Sequence, residues 1–227
     1  IHYSWWFIFG FLTWSLSSAF FPHFFLGYDT KTYWFMGAVS SLLLFVSVLL
    51  HELSHSLVAR LRKIKVESIT LFFFGGVAGI TKEDIKPMSE FLMAISGPLF
   101  SLVLSGIFYL IYLSDFNGVS TAITFYLAQI NLILALFNLV PGFPLDGGRA
   151  FRAILYAYYK DLRKATRIAS IGGKIFGGFL IIFGLVSLFS GAGNGLWFVL
   201  IGGFLYFIAG VSYNQVVIKQ VLEKISV

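Results

Sequence analysis

The sequence contains no cysteine. That excludes a disulfide framework, and it leaves His, Asp and Glu as the strong ligands for any bound zinc-like metal. Charge is nearly as scarce. Charged residues make up 11% of the 227 residues, against about 25% in soluble domains. Only ten residues are acidic, so an acid outside a loop calls for a reason. A small-residue cleavage site is missing after the first apolar stretch, which is also too long for the core of a signal peptide, so no cleavable signal is expected.

What is abundant is apolar. Hydrophobic residues make up 58% of the chain and aromatics 19%. A chain with so little polar surface cannot be covered against water, so a lipid bilayer is the expected solvent. The net charge of +6 sits in loops and builds no basic face, which argues against a nucleic-acid partner.

Six apolar stretches are long enough to cross a bilayer, which needs roughly 20 residues. They are residues 3–21, 33–59, 91–113, 121–140, 168–189 and 196–217. Trp5, Trp6, Trp34 and Trp197 fall near their ends, as in aromatic belts. Arg60, Arg62, Lys63, Lys65, Lys82 and Lys86 follow the second stretch. Arg149, Arg152, Lys160, Arg163, Lys164 and Arg167 separate the fourth from the fifth, and Lys219 and Lys224 lie in the tail. The alternate loops hold only Lys31. By the positive-inside rule this places both termini in the cytoplasm of a multi-pass cell-membrane protein.

Between the second and third stretches, Glu67–Phe74 is β-branched and aromatic, and Gly75-Gly76 and Val77–Ile80 follow, the pattern of a β-hairpin. The expected architecture is an all-α polytopic membrane protein of about six transmembrane helices with a small membrane-associated β-hairpin.

The second stretch contains His51-Glu52-Leu53-Ser54-His55. Residues i and i+4 share a helix face, so both imidazoles can ligate one Zn²⁺, with Glu52 as general base toward a water. The bland reading is a hydrogen-bonded pair of core histidines. It leaves unexplained a carboxylate in a hydrocarbon-spanning helix. His51 lies nine residues before Arg60, about 14 Å below the cytosolic surface at 1.5 Å per residue.

A catalytic zinc takes a third protein ligand. Glu67, Glu83, Asp84, Asp161 and Glu223 read as solvated charges, Asp29 and Asp115 fall on the far side, and Glu90 opens a helix whose dipole it complements. Asp146 remains, in Asn138-Leu139-Val140-Pro141-Gly142-Phe143-Pro144-Leu145-Asp146-Gly147-Gly148-Arg149, where proline and glycine break the fourth helix. Its plain alternative is an Asp-Gly turn. The four-residue spacings of Gly97, Ser101 and Ser105, and of Gly173 and Gly177, read as close helix packing. His2 and His23 suggest no role.

HELSH in one transmembrane helix with NxxPxxPLDGG ending a later one resembles the site-2 protease family of intramembrane zinc metalloproteases. Phe74-Gly75-Gly76-Val77-Ala78 matches as well, as does Glu90-Phe91 followed by Ala94-Ile95-Ser96-Gly97-Pro98 and Ser101. The resemblance covers nearly the whole chain, most strongly Tyr33 to Arg152. It implies one protease domain over residues 1–227, with a catalytic core of about 33–152. One departure stands out: many members carry PDZ or CBS regulatory domains, and neither is expected in this sequence, which leaves regulation open. The resemblance implies one Zn²⁺ on His51, His55 and Asp146, with Glu52 as base. Asn138 would hold the substrate backbone or oxyanion, and the Gly75-Gly76 segment would receive extended substrate. The implied partner is a transmembrane protein cut within or near its membrane span, such as an anti-sigma factor or membrane-bound transcription factor. The rival reading is a transporter or channel with a polar metal-binding centre. That class predicts internal repeats and broken helices in both halves, whereas the chain shows one break and no repeat. A membrane HExxH protease for prenylated proteins would draw a Glu ligand from a late helix, and residues 168–189 and 196–217 contain no acid.

Overall fold

In hydrocarbon every backbone N–H and C=O must be satisfied within the spanning segment, so an apolar stretch of this kind becomes helix. The computed structural model describes residues 4–64, 66–72, 75–80, 85–114, 117–191 and 195–225. Helix dominates them: α1 (Ser4–Ser15), a π-helical turn (Leu16–Phe20), α2 (Phe21–Phe24), α3 (Thr30–Leu61), α4 (Pro87–Leu113), α5 (Gly118–Asn138), α6 (Asp146–Tyr159), α7 (Leu162–Phe189) and α8 (Gly195–Ile225). Between α3 and α4, β1 (Val66–Phe72) pairs antiparallel with β2 (Gly75–Ile80), Phe72 opposite Gly75 and Leu71 opposite Gly76. Residues 73 and 74, which join the strands, lie outside the described residues, as do Glu83, Asp84 and Asp115 of the sequence reading.

Among the described residues, five helices are long and apolar enough to cross a bilayer: α3, α4, α5, α7 and, over Gly195–Val216, α8. Large apolar side chains on them face outward, Phe183, Leu200 and Val103 among them, as lipid contact requires. The first apolar stretch, expected as one helix, is divided among α1, the π turn and α2. Pro22 lacks the N–H that a continuous helix would donate to Ser18, and the regular ladder is interrupted there.

The chain divides into two compact units. The first comprises Ile1–Glu83 and Ser96–Leu136. Its core joins Leu16, Phe21, Met36, Ala122, Ile123, Tyr126 and Leu127, and Phe20 and Phe21 meet the Tyr126 ring edge-on at 5.2 and 6.2 Å. The helix that matters most here is α3. Asp29 caps its start by accepting from the Thr32 N–H and hydroxyl, and these bonds hold the Asp29 carboxyl below its usual range. Its 32 residues extend about 48 Å, more than the ~30 Å hydrocarbon thickness. Gly37 lets α1 and the π turn pack closely, since a Cβ there would meet the Thr13 carbonyl at 2.8 Å and the Ser17 backbone nitrogen at 3.2 Å.

The second unit comprises Asp84–Ile95 and Phe137–Val227. Helices α7 and α8 pair antiparallel through glycines: a Cβ on Gly177 would meet the Gly202 carbonyl at 2.7 Å, and one on Gly184 the Gly195 carbonyl at 2.6 Å. Helix α6 is absent from the sequence reading. At 14 residues it is about 21 Å long, too short to span, and it buries Gly147, Gly148, Ala150 and Ala153. The loop before it is held tightly. The Phe143 N–H donates to the Ala169 carbonyl at 3.2 Å, and Phe143 packs with Ala169, Ala209 and Phe151. Gly173, read from sequence as helix packing, lies against the Phe143 backbone.

Candidate metal centre

The first unit brings the two imidazoles together. His51 and His55 follow one another on the buried face of α3, and their Nε2 atoms lie 3.2 Å apart. Tetrahedral coordination at 2.0–2.1 Å would separate two donor nitrogens by about 3.3 Å. The pair is spaced as two ligands of one ion would be.

The other nitrogen of His51 is also engaged. Its Nδ1 lies 2.8 Å from the hydroxyl Oγ of Ser101, itself fully buried on α4. A hydroxyl that accepts from Nδ1–H leaves the Nε2 lone pair directed at the shared point. This is the outer hydrogen bond that orients metal-binding histidines. Four residues earlier on α4, Gly97 makes room for both rings. A Cβ there would collide with Nε2 of His55 and approach Nε2 of His51 to 2.6 Å. From sequence the Gly97–Ser101 spacing reads as helix packing. Its neighbours are instead the imidazoles, so it belongs to the site. Ser105, whose hydroxyl donates to the Ala128 carbonyl at 2.8 Å, joins α4 to α5.

The buried polar surroundings extend one turn along α3. Ser47 donates to the Leu43 carbonyl at 2.9 Å, and the Asn131 amide donates to Ser47 Oγ at 3.3 Å and to the Leu127 carbonyl at 2.8 Å. Ser54, inside the HELSH motif, donates to the His51 carbonyl at 2.6 Å. Glu52 is half-buried beside His51.

The remaining candidates belong to the second unit or the strands. Asn138 is the last residue of α5 and Asp146 the first of α6, both half-buried. Asp146 thus sits at the N-terminus of α6. Gly147 and Gly148 permit the turn: their Cβ atoms would strike the backbone of Leu139 and Gly142. Gly75 and Gly76 open β2.

The donor chemistry suits zinc, an ion bound by imidazole and carboxylate in closed or three-ligand sites. Ser101→Ala should weaken zinc binding about 10–100-fold, as loss of an outer partner does. A chromophoric chelator competition would measure it, and an unchanged affinity would show that Ser101 does not orient His51.

In the sequence the spacing of Gly97 and Ser101 is visible, whereas the helix they face, 50 residues away, is not.

The sequence model of peptidase family M50 matches residues 39–125 and 114–185. Rip3 of Mycobacterium tuberculosis is 36% identical over 233 residues, covering all of this chain and 59% of Rip3. A zinc metalloprotease of Methanocaldococcus jannaschii is 40% identical over 190 residues, covering 83% of this chain and 53% of that protein. The chain therefore spans little more than half the length of these relatives. The solved site-2 protease from Methanocaldococcus jannaschii superimposes with a TM-score of 0.61 at 32% identity, over 91% of this chain and 88% of that one.

Proposed function

The chain belongs to peptidase family M50, the site-2 proteases, and on that premise we propose that it is an intramembrane zinc metalloendopeptidase acting on peptide bonds within or near the membrane spans of other proteins. One observation carries the reading: a buried histidine pair with Nε2 atoms 3.2 Å apart, set in a helix long and apolar enough to cross a bilayer.

We assign His51, His55 and Asp146 as the ligands of one zinc ion. They offer two imidazole nitrogens and a carboxylate oxygen, and three protein ligands leave a position open. Bound zinc supplies Lewis acidity, which acidifies water and polarises a carbonyl. The rest falls to side chains. Glu52 takes a proton from the attacking water as its oxygen adds to the scissile carbonyl carbon, then delivers that proton to the amine nitrogen as the C–N bond breaks. Asn138 donates to the carbonyl oxygen as negative charge develops on it. The β1–β2 pair adds the unwound substrate as a further strand, with the Gly75-Gly76 backbone alongside it.

We read the helical run 4–24 as a sixth crossing. Its support is the alternation of basic loops, which six crossings satisfy with both termini in the cytoplasm. On that topology His51 lies about 14 Å inside the cytosolic face and water enters from that side. We read residues 1–227 as one protease domain with its core at about 33–152. Anti-sigma factors and membrane-bound transcription factors, each with a span to be cut, are the substrate class that fits.

The test compares membrane fragments released by the wild-type chain with and without a chelator. Release that stops on zinc removal and returns with zinc supports the proposal. Solute transport without release would favour the channel reading. In the same assay, an unchanged rate for Gly76→Pro would remove the hairpin from substrate binding.

A further inference from the structure

Glu90 is one of ten acids in the chain and is only 2% exposed. From sequence it reads as a complement to the α4 dipole, and it does lie in the first turn. Its main partner comes from elsewhere. Arg152 of α6 donates to Glu90 Oε1 from Nε at 2.9 Å, and its Nη2 reaches the same oxygen. The Arg152 guanidinium also lies over the Phe143 ring, 5.1 Å from its centroid. Phe143 stands three residues before Asp146, in the loop that presents it.

We propose that Glu90 and Arg152 are positioning residues that hold the Asp146 carboxylate in place through Phe143. This rests on the reading of Asp146 as a zinc ligand. The loop is pressed from two sides. Its Phe143 backbone is fixed on α7 by the Ala169 carbonyl and the bare Cα of Gly173. The Phe143 ring is covered by a guanidinium whose planar face suits stacking, and which is kept in place by a carboxylate. Arg152 lies six residues beyond Asp146 on the same helix, so one side chain fixes both the approach to α6 and α6 itself. A buried charge pair is a poor source of stability compared with apolar packing. What it supplies that packing does not is direction. Two N–H groups on one oxygen and a ring beneath the guanidinium permit one orientation of the arginine.

The experiment uses the full chain in detergent, loaded with Zn²⁺, and reads affinity by chromophoric-chelator competition beside the melting temperature. Glu90→Gln and Arg152→Lys should each weaken zinc binding by about tenfold, in the manner of a lost outer partner. Arg152→Lys keeps the charge but loses the planar stacking. A structural role alone would lower the melting temperature and leave affinity unchanged. The double variant Glu90→Leu/Arg152→Leu removes both charges together and should fold. It should still bind zinc about tenfold more weakly, whereas wild-type affinity in it would overturn the positioning role. Phe143→Leu should shift affinity in the same direction. The underlying assignment fails separately: if Asp146→Ala leaves zinc affinity intact, Asp146 is not a ligand. If Asp146→Ala loses zinc while all four of these variants keep wild-type affinity, the assignment stands and the positioning proposal falls.

Discussion

Glu52→Gln should lose hydrolysis while keeping its zinc. Glutamine matches glutamate in shape and cannot accept the proton of an attacking water, so the change isolates proton transfer. General base catalysis contributes about 10²–10⁴-fold, and kcat for a membrane-spanning substrate should fall by at least that range. Zinc content should stay at one per chain. His51 and His55 share a face of α3 with their Nε2 atoms facing each other, and Glu52 is offset from that face by one residue, about 100° around the helix. Quantitative metal analysis of the purified variant beside single-turnover cleavage separates the outcomes. Wild-type cleavage would move the base elsewhere, and loss of zinc would make Glu52 a ligand.

The parts of this site that were legible in the sequence are those carried by local spacing. HELSH needs only the 3.6-residue period of one helix to put two imidazoles together, and the structure forms that pair. Asp146 stood out because acids are so few and because Pro141, Pro144, Gly147 and Gly148 cannot continue a helix. Apolar length likewise marked α3, α4, α5, α7 and α8 as spanning candidates.

What escaped depends on contacts between distant residues or on interruptions within an apolar run. Ser101 meets His51 across 50 residues, and Arg152 meets Glu90 across 62. Neither pairing has a periodic signature. Gly97 displayed a packing spacing, and nothing in that spacing says that its neighbour is an imidazole rather than another helix backbone. The π turn at Leu16–Phe20 lies inside a stretch whose composition is uniformly apolar, so hydropathy cannot mark it. Helix α6 was hidden by its own small residues. Gly147, Gly148, Ala150 and Ala153 are its buried residues, and glycine at its start reads as turn.

Asp146→Ala should release zinc and with it all cleavage. Zinc in a catalytic site is held by three protein ligands, and removing one costs more than the about 10–100-fold attached to an outer partner. His51→Ala should behave alike, which gives an internal comparison: one variant removes a nitrogen from α3 and the other an oxygen from the start of α6. Alanine at 146 leaves the glycine turn at 147–148 and the Phe143 anchor on Ala169 in place, so the fold should persist and the melting temperature of the zinc-free proteins should coincide. Asp146→Asn sharpens the assignment. Its carboxamide keeps the volume and an oxygen but loses the charge, so a ligand role predicts affinity between those of the wild type and the alanine variant. A role in the turn alone predicts the opposite pattern, because Asn supports such turns nearly as well as Asp: full zinc in Asp146→Asn, and loss in Asp146→Ala only alongside a fall in melting temperature.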